Sequence, residues 1–474
     1  MASDTNYDVI VIGAGIAGLV AANRAAQLGK RVAVLEKSTE ERYLCNSRYT
    51  YGTFHIHFTG ADADEDELFA KIEAATEGFA RKDLARAVAR DGRRLMQWLR
   101  EDNVGLVNLG GYNTNVLAPA WRQGFGLTWR GYAGDVALEK LESNFRNRQG
   151  RVLRGVRAQA LKIVPGGIEL EVGQSQGAVR FRAAAVIIAD GGFQANLDMV
   201  REHISPAPEK LLQRNGGTAM GDGLRMAQSL GAATVGMQNF YGHLHSRDAM
   251  HSDRLWPRPY ADELAAAGIV IDANGQRIAD EGRGGIWLAN AIAHLPDPLG
   301  TTIIFDQAIW DGPPGTGHVQ PPNPLLTEAG GTLHRAATLA ELAAKIGLAP
   351  QLLENTVANY NRAVDTQALA SLSPARRGDP IKAWPIRVPP YYALPICAAI
   401  TNTMGGIVVD GNGAVLGHDD RPIPGLYAAG STIGGLDGGP HAGYVGGLIK
   451  ATIGLRAAET IAGIQAPVAA DRPR

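Results

Sequence analysis

The chain has 474 residues, and its 46 lysines and arginines nearly balance its 47 aspartates and glutamates. This balance gives no support for a nucleic-acid-binding surface or an acidic tail. The two cysteines, Cys45 and Cys397, form no CxxC pair, which excludes a thioredoxin-type redox motif and a CxxCH haem attachment site. Low cysteine use is typical of a reducing compartment, and we therefore expect a cytoplasmic protein.

The first predicted elements are a strand, a glycine-rich turn, a helix and a second strand. Residues 7–12 are a short β-branched apolar run typical of a buried strand. The helix that follows is predicted to stop at Gly29, and "KRVAVLEK" predicts a strand that ends at Glu36. The apolar run over residues 9–22 is shorter than the roughly 20 residues of a membrane span, and no basic residue precedes it. We expect no targeting or transmembrane segment.

Helices and strands continue up to about residue 240. Residues 62–101 are rich in Ala, Glu, Asp, Arg and Leu and predict two helices. The stretches "ELEV" and "RFRAAAVIIADGG" predict strands, the second running into Gly191 and Gly192. The stretch "GTAMGDGLRMAQSLGA" predicts a loop that enters a helix.

From about residue 241 the sequence changes character. The stretch "GIVIDANGQRIADE" predicts a hairpin, with Asn274 and Gly275 as its turn. Helices are predicted over residues 338–348 and 350–364, and proline-rich loops flank them. We predict an inserted second domain over residues 241–400 and a first domain in two parts, residues 1–240 and 401–474.

A glycine motif marks the turn after the first strand. Gly13, Gly15 and Gly18 form GxGxxG at the start of the first helix. The first glycine allows the tight turn, the second lets the backbone approach a pyrophosphate, and the third lets helix and strand pack closely. Glu36 ends the second strand, where an acid binds a ribose and repels a 2′-phosphate. The motif therefore predicts a dinucleotide site that disfavours NADP and leaves FAD and NAD open.

Five further stretches, taken in order, carry a family resemblance. They are "CNSRYTYG" (45–52), "ADGGF" (189–193), "GDG" (221–223), "TNTMGGIVVD" (401–410) and "IPGLYAAGSTIGG" (423–435). In this order they resemble the fumarate reductase/succinate dehydrogenase flavoprotein superfamily, whose soluble members include tricarballylate dehydrogenases and 3-ketosteroid Δ1-dehydrogenases. The resemblance covers nearly the whole chain. It implies an α/β fold in which an α+β capping domain interrupts a Rossmann-like FAD-binding domain.

The resemblance implies FAD as the cofactor. In membrane succinate dehydrogenases a histidine bonds covalently to FAD, and Asn46 stands at the matching position here, which implies non-covalent FAD. Ser431 stands where many relatives have glutamate. The residues expected to contact the cofactor are Gly13, Ala14, Gly15, Ala17, Gly18, Glu36, Lys37, Asn46, Ser47, Asp190, Gly191, Gly192, Asp222, Gly430, Ser431, Gly446 and Gly447.

The substrate site departs from that of a dicarboxylate enzyme. The resemblance places His243 at the position of a histidine that binds a substrate carboxylate. Asn402 replaces a second substrate histidine, and Tyr444 replaces an arginine. A buried carboxylate without a cationic partner is costly, so fumarate and succinate are poor candidate substrates. A less charged substrate with a polarising carbonyl is favoured.

Three residues are candidates for the catalytic acid or base. Tyr444 is a phenol with an ordinary pKa near 10, so a role as base requires a lowered value. Arg283 lies two residues before the position of the proton-donating arginine of fumarate reductases, and His243 is the third candidate. Tyr241 and His441 are further candidate substrate contacts, and the sequence leaves His441 open between a flavin contact and loop packing.

The predicted activity is hydride transfer between flavin N5 and a carbon–carbon bond that a carbonyl or carboxylate activates. The expected partners are a small-molecule substrate and an unidentified electron donor or acceptor; no metal site is predicted. Two alternatives are a tricarballylate dehydrogenase-like enzyme and a flavoprotein subunit that passes electrons to a partner protein. A third, a flavin monooxygenase or amine oxidase, is disfavoured by the "TNTMGG" and "GLYAAG" stretches together with the inserted domain.

Overall fold

The computed structural model describes residues 5–122, 124–174, 177–317 and 320–464. Within these ranges the strands, in chain order, are β1 (Asn6–Ile12), β2 (Val32–Glu36), β3 (His55–Ile56), β4 (Thr59–Gly60), β5 (Leu106–Val107), β6 (Val116–Leu117), β7 (Arg151–Arg154), β8 (Arg157–Val164), β9 (Gly167–Gln174), β10 (Gly177–Ile188), β11 (Leu212–Gln213), β12 (Thr234–Val235), β13 (Phe240–Ser246), β14 (Ile269–Ile271), β15 (Thr302–Asp306), β16 (His334–Ala336), β17 (Tyr391–Thr403), β18 (Gly406–Val408), β19 (Ala414–Leu416), β20 (Pro422–Ala428) and β21 (Ile433–Gly434).

The α-helices of the same ranges also follow in chain order. They are α1 (Ile16–Gln27), α2 (Asn46–Tyr49), α3 (Glu65–Thr76), α4 (Lys82–Glu101), α5 (Ala133–Asn147), α6 (Leu197–His203), α7 (Asp222–Ser229), α8 (Asp262–Ala267), α9 (Gly285–Ala293), α10 (Gln307–Asp311), α11 (Pro313–Thr316), α12 (Pro322–Glu328), α13 (Leu339–Lys345), α14 (Pro350–Asp365) and α15 (Ala451–Ile461).

The larger sheet is mainly parallel. Its strands follow the order β19-β20-β10-β1-β2-β7, and β8 and β9 form a hairpin that pairs with β10 through β9. The strands β20, β10, β1, β2 and β7 all run parallel. Val9, Ile10 and Val11 of β1 are fully buried, which explains the unbroken apolar run because a central parallel strand is covered on both faces. Helix α1 packs against α5 and α15.

The predicted elements of this first part are confirmed. The predicted strands over 7–12 and 30–37 correspond to β1 and β2, and the predicted helix between them is α1. The two helices predicted within 62–101 are α3 and α4. Helix α3 begins after Asp64, whose side chain accepts hydrogen bonds from two backbone N–H groups of the first turn and so caps the helix.

The second sheet carries the strands that complete the site. Its path is β11-β17-β15-β14, and β13 and β16 also pair with the long strand β17. The antiparallel pairing of β13 and β17 sets Tyr241 opposite Asn402 and His243 opposite Ala399. An added Cβ at Gly242 would lie 2.0 Å from the Ala399 carbonyl oxygen, so glycine is required at this irregular point of the ladder.

The predicted hairpin and helices of the second part are also confirmed. The chain turns at Gly275, which has a φ of +76° and donates its N–H to the Asp272 carbonyl, and Ile271 pairs with Arg277. The predicted helices over 338–348 and 350–364 are α13 and α14. The α/β fold with an interrupting α+β part is therefore confirmed. The strands of the second sheet fall between residues 212 and 403, whereas the domain limits at 241 and 400 stay predictions.

Candidate functional site

One cleft joins the two sheets. It passes the carboxyl ends of β1, β2, β10 and β20, where parallel α/β sheets bind their ligands, and continues to β13 and β17. Its cavity volume is about 300 Å³, at the lower end of the roughly 300–1,000 Å³ of small-molecule pockets. We call its two parts the glycine end, which contains Gly13, Gly15, Glu36 and Asp190, and the tyrosine end, which contains Tyr241, Tyr444, Tyr260, Asn402 and Arg214.

Most residues predicted to contact the cofactor line this cleft. They are Gly13, Ala14, Gly15, Ala17, Glu36, Lys37, Asn46, Ser47, Asp190, Gly191, Gly192, Asp222, Gly430, Ser431 and Gly447. Gly18 and Gly446 lie behind the lining. An added Cβ would lie 2.1 Å from the Gly13 carbonyl oxygen at Gly18 and 2.5 Å from the His55 carbonyl oxygen at Gly446. Their small size therefore serves the packing of the turns.

The turn after β1 has the geometry of a phosphate cradle. Gly13 has a φ of +99°, and an added Cβ would lie 2.6 Å from the Ala189 carbonyl oxygen. Helix α1 begins directly after Gly15, which has no side chain to cap it, and Ser47 Oγ accepts the Ile16 N–H of the first turn. Gly13, Gly15 and Ile16 line the cleft, so the positive end of the helix dipole faces it and favours an anion such as a pyrophosphate.

Glu36 lies where its carboxylate can meet a ribose. Its Oε1 accepts the Ser38 N–H at 2.9 Å, and its Oε2 accepts the Ala14 N–H at 3.4 Å. The residue is 8% exposed, and burial raises its pKa above the ordinary value of 4.5. The carboxylate is thus held by backbone donors at the rim of the cradle.

The pKa values of two acids that line the cleft, Asp190 and Asp222, are shifted in opposite directions. Asp190 follows β10, and its Oδ2 accepts the Gly223 N–H at 2.7 Å. Within the described residues its Oδ1 has no hydrogen-bond partner, and burial raises its pKa to about 6. Burial also acts on Asp222, but its hydrogen bonds and ion pair with Arg157 lower its pKa overall. Asp190 therefore keeps a buried carboxylate oxygen without a hydrogen-bond partner among the described residues, whereas Asp222 pairs with Arg157.

Asn46, Ser47 and Lys37 bind neighbouring parts of the protein. The Asn46 side chain donates to the Thr401 carbonyl at 2.6 Å and accepts the Gly216 N–H at 2.9 Å. Ser47 Oγ accepts the Ile16 N–H at 3.0 Å at the start of α1, and Lys37 Nζ donates to the Thr218 carbonyl. Asn46 thus ties the glycine end to the last residues of β17.

Tyr241 and Tyr444 form a stacked pair at the tyrosine end. Their ring centroids are 3.9 Å apart and the rings are within 13° of parallel. Tyr444 Oη accepts the Gly447 N–H at 3.0 Å. Burial, and then the nearby Tyr241 and Asp437, raise the pKa of Tyr444 well above its ordinary value. Both phenols are therefore protonated at neutral pH.

His243 lies behind Tyr241 and is not part of the cleft lining. Its Nε2 is 2.8 Å from Tyr241 Oη, and its Nδ1 is 2.7 Å from Asp262 Oδ2. Asp262 opens helix α8, and its Oδ1 accepts the Leu244 N–H at 2.7 Å. Tyr260 stacks on the His243 ring at 3.9 Å. The family position of His243 predicts a substrate contact, but in the structure Tyr241 lies between His243 and the cleft.

Asn402 lines the cleft, whereas Arg283 and His441 do not. Asn402 is 6% exposed and donates to the Thr403 carbonyl at 3.2 Å. Arg283 and His441 both contact Glu77, at 2.9 Å and 2.7 Å. Both side chains are thus engaged by a carboxylate outside the lining.

The sequence analysis did not identify two arginines of the tyrosine end, Arg214 and Arg258. Arg214 donates to Thr401 Oγ1 and to Tyr260 Oη, both at 2.8 Å, and it forms no ion pair with a carboxylate of the described chain. Arg258 lies over the rings of Tyr260 and Tyr51, 4.6 Å and 5.5 Å from their centroids. No motif marks Arg214, but the basic and aromatic "WPRPY" stretch (256–260) was a signal for Arg258.

Aromatic side chains form the wall around these arginines. Besides the stacked tyrosines, the lining includes Tyr49, Tyr51, His55, Phe58, Tyr112 and Trp256. Such a wall suits a planar or apolar ligand body, and a few polar groups then fix its orientation. Among the described residues, no group of three or more His, Cys, Asp and Glu side chains is arranged to hold a metal ion.

The sequence matches the family described as FAD binding domain over residues 8–443. The chain belongs to this family. The match covers both parts of the predicted first domain and the insertion between them. The resemblance to the fumarate reductase/succinate dehydrogenase flavoproteins is confirmed, and so is the enzyme class, an FAD-dependent oxidoreductase, at the level of the family.

Curated relatives cover nearly all of the chain. It is 28% identical to urocanate reductase of Eggerthella lenta, over 91% of this chain and 70% of that protein. It is 26% identical to 4-oxocyclohexanecarboxylate 2-dehydrogenase of Sinomonas cyclohexanicum, over 97% of this chain and 93% of that protein. It is 26% identical to NADH:fumarate oxidoreductase of Klebsiella pneumoniae over 93% of its own length but spans only 46% of that relative.

Solved structures share the fold. The 3-ketosteroid-Δ4-(5α)-dehydrogenase of Rhodococcus jostii RHA1 superposes with a TM-score of 0.70 at 21% identity, over 97% of both chains. The open conformation of a flavocytochrome c3 fumarate reductase gives a TM-score of 0.66 at 21% identity, over 98% of this chain and 79% of that one. In the described part of the chain, no helix combines the length and apolar character needed to cross a membrane.

Proposed function

We propose that the protein binds FAD without a covalent bond and oxidises or reduces a carbon–carbon bond of a small organic substrate that a carbonyl or carboxylate activates. The bound cofactor supplies the donor or acceptor for a hydride at flavin N5. One observation carries the proposal: a single cleft joins the dinucleotide cradle at Gly13 to the stacked phenols Tyr241 and Tyr444. Cofactor and substrate can therefore meet in it.

The residues of the glycine end fit FAD. The cradle at Gly13 leaves no room for a side chain, and the start of α1 favours a pyrophosphate. Glu36 is placed for a ribose, and the unsatisfied Asp190 Oδ1 awaits a donor. An amide at Asn46 offers no nucleophilic nitrogen for a bond to the flavin. Acid precipitation should accordingly release the flavin into the supernatant, and a yellow pellet would contradict non-covalent binding.

The tyrosine end fits a substrate with one activating oxygen group. Tyr444 Oη accepts the Gly447 N–H and hydrogen-bonds to Tyr241, and a substrate oxygen can take the place of Tyr241 as the acceptor of its hydrogen. The sequence analysis considered cationic residues only at family positions and therefore did not identify Arg214. This arginine gives the cleft a positive charge, and its hydrogen-bond partners Thr401 and Tyr260 are neutral. One carboxylate or carbonyl suits this charge.

Arg258 also lines the tyrosine end and lies over the rings of Tyr260 and Tyr51. The case against fumarate and succinate therefore rests on Tyr444 and Asn402, a phenol and an amide at the two positions where the family resemblance implies cationic partners for a second carboxylate.

Two of the named relatives support this substrate class, whereas the Klebsiella pneumoniae relative is named for fumarate. The two are a urocanate reductase and a 4-oxocyclohexanecarboxylate 2-dehydrogenase, and each named substrate carries a carboxylate or carbonyl beside the bond that reacts. Arg283 is less suited as the proton donor, because Glu77 and Asp280 hold its guanidinium outside the cleft lining. The proton is better handled by the phenols of the tyrosine end.

An anaerobic screen of the purified flavoprotein tests the proposal. Pairs of saturated and unsaturated compounds, such as cyclohexanone with cyclohexenone and succinate with fumarate, are mixed with the oxidised and the dithionite-reduced protein. We expect an activated ketone or monocarboxylate pair to bleach or restore the flavin absorbance, and succinate and fumarate to do neither. Reaction with the dicarboxylates alone would overturn the substrate assignment and favour a tricarballylate dehydrogenase-like enzyme.

A second candidate is a flavoprotein subunit that passes electrons to a partner. The chain spans only 46% of the length of its Klebsiella pneumoniae relative. That relative therefore has further parts that this chain does not match, and this observation favours the second candidate. Turnover of a substrate by the purified chain with an artificial dye would exclude it. The identity of the electron partner and the cytoplasmic location stay predictions.

A further inference from the structure

Tyr241, His243 and Asp262 form a chain of three polar contacts that ends in the cleft. Tyr241 lines the cleft, His243 is buried behind it, and Asp262 lies behind His243 at the start of α8. The contacts are 2.8 Å from Tyr241 Oη to His243 Nε2 and 2.7 Å from His243 Nδ1 to Asp262 Oδ2. Such distances are those of hydrogen bonds.

The chemistry of these groups fixes the direction of the hydrogen bonds. An ionised carboxylate can only accept, so His243 Nδ1 carries a proton and donates it to Asp262. Nε2 of the neutral imidazole is then the acceptor, and Tyr241 Oη donates to it. The phenol proton of Tyr241 therefore already points at a base, and the base is held in place by a carboxylate.

We propose that Tyr241 exchanges the proton with the substrate and that His243 and Asp262 serve it as a proton relay. The proposal rests on the proposed function and names the proton-transfer group of the same site. Tyr241 touches the substrate and is catalytic, whereas His243 and Asp262 act through it. Tyr444 takes a separate role, holding the activating oxygen of the substrate.

The step balances in protons and electrons. In dehydrogenation the C–H bond beside the activating group breaks, its proton bonds to Tyr241 Oη, and the former Tyr241 proton bonds to His243 Nε2. The electron pair left on carbon would form the new C=C bond, and bound FAD would supply the acceptor for the hydride of the neighbouring carbon. Asp262 balances the positive charge that develops on His243. In reduction the same protons move in reverse.

The relay resolves how a phenol of raised pKa can act as a base. Burial raises the pKa of Tyr241, so a free tyrosinate is scarce at neutral pH. Transfer through the phenol avoids the tyrosinate, because one proton arrives at the oxygen as the other leaves. Tyr444 reaches a histidine only through Tyr241, because its own hydrogen-bond partners among the described residues are the Gly447 N–H and Tyr241. This difference assigns proton transfer to Tyr241.

Other titratable and charged groups surround the relay. Tyr260 stacks on His243, and Glu263 follows Asp262 with a pKa that burial raises to about 7. Arg214, Arg258 and His245 also act on the cluster electrostatically, and burial keeps the pKa of His245 well below its ordinary value. None of these groups lies between the three members of the chain.

Nitrogen NMR of the FAD-loaded protein, with 15N in the histidine rings, tests the relay without turnover. We expect the His243 signals, identified by their loss in His243→Gln, to show a protonated Nδ1 and an unprotonated Nε2. Tyr241→Phe should shift Nε2 and leave Nδ1 protonated. Asp262→Asn should disturb Nδ1 instead. A proton on Nε2 in the native protein would overturn the relay, because Tyr241 would then be the acceptor.

Kinetics test the catalytic role with a substrate from the anaerobic screen. Tyr241→Phe should slow flavin reduction by about 100-fold or more, within the usual range of acid–base catalysis, and abolish its solvent isotope effect. Tyr427→Phe, a tyrosine of β20 outside the cleft, is the matched control and should change neither. In Asp262→Asn the rising limb of the pH profile should move to lower pH, because the imidazolium loses its carboxylate partner.

Each outcome has one meaning. If Tyr444→Phe removes the isotope effect and Tyr241→Phe keeps it, the proposed assignment is overturned. An Asp262→Asn enzyme that is slower with an unshifted pH profile would reduce Asp262 to a structural role. Failure of the substrate screen overturns the proposed function and the catalytic role with it, whereas the wrong tautomer in the NMR experiment overturns the relay alone.

Discussion

At the glycine end of the cleft the backbone forms the site, whereas at the tyrosine end side chains form it. The glycine end is a turn at Gly13, the start of α1, and two acids that accept backbone N–H groups. The tyrosine end joins side chains of β13, of β17, of the segments directly after β11 and directly before α8, and of the loop before α15. The first arrangement tolerates no added atom, and the second depends on the identity of a few polar groups.

The largest expected effect is at the glycine end. In Gly13→Ala the new Cβ would lie 2.6 Å from the Ala189 carbonyl oxygen, at a φ of +99° that side chains rarely adopt. We expect the flavin-to-protein ratio after purification to fall more than tenfold, measured by absorbance. Gly124→Ala is the control, because nothing lies within 4 Å of its Cβ position. Full flavin content in Gly13→Ala would show that the cradle is not the pyrophosphate site.

At the tyrosine end, Arg214→Gln removes a charge and keeps a hydrogen-bond donor. We expect the Kd of benzoate, from its perturbation of the flavin spectrum, to rise by about 10- to 100-fold, since hydrogen bonds to charged groups contribute about 1.5–3 kcal/mol. Benzamide, of the same shape without charge, should be affected much less. Equal losses for the two ligands would mean that Arg214 supports the fold of the site and does not bind an anion.

Tyr444→Phe is expected to have a smaller effect than Tyr241→Phe. The phenol is assigned to hold a substrate oxygen, and a neutral hydrogen bond contributes about 0.5–1.5 kcal/mol, so its loss should slow flavin reduction by up to about tenfold and keep the solvent isotope effect. Rapid mixing in H2O and D2O measures both quantities. An unchanged rate would make Tyr444 a part of the pocket wall that stacks on Tyr241.

The smallest expected effect is a pH dependence of stability at the glycine end, caused by Asp190. The pKa of Asp190, about 6 when folded against an ordinary 3.8, means that the folded state keeps this proton between about pH 4 and 6. The free energy of unfolding should therefore fall as the pH rises through this window, by up to about 3 kcal/mol. In the FAD-free protein, Asp190→Asn should remove that slope from urea unfolding curves. A slope equal to that of the native protein would contradict the raised pKa.

The residues of the glycine end could be predicted from the sequence more completely than those of the tyrosine end, and the reason is physical. The glycine end is built from contiguous segments whose spacing is set by one strand, one turn and one helix, so Gly13, Gly15 and Glu36 could be selected by pattern. The tyrosine end depends on the register of β13 against β17, which no local pattern fixes. Asn402 and Tyr444 were found only at family positions, and Arg214 was missed because it lies at none.

His243 shows the same limit. Its family position predicted a substrate contact, but the side-chain alternation of β13 and the placement of α8 set it behind Tyr241, against Asp262. Asp262 could be recognised as the start of a helix, since acids favour the first turn, but nothing in "ADELAAAG" indicates which side chain it meets. Arg283 and His441 both contact Glu77. Glu77 lies more than 200 positions from Arg283 in the sequence, so no local pattern indicates this contact.

The most direct test of the account is a single anaerobic turnover with counted products. The FAD-loaded protein is mixed with a saturated ketone or monocarboxylate that bleaches it, and the reduced flavin and new C=C bonds are measured in the same sample. The account predicts one unsaturated product for each flavin reduced, with no hydroxylated product and, when air is excluded, no peroxide. Flavin reduction without a new C=C bond would contradict the central claim that this cleft transfers hydride to and from activated carbon–carbon bonds.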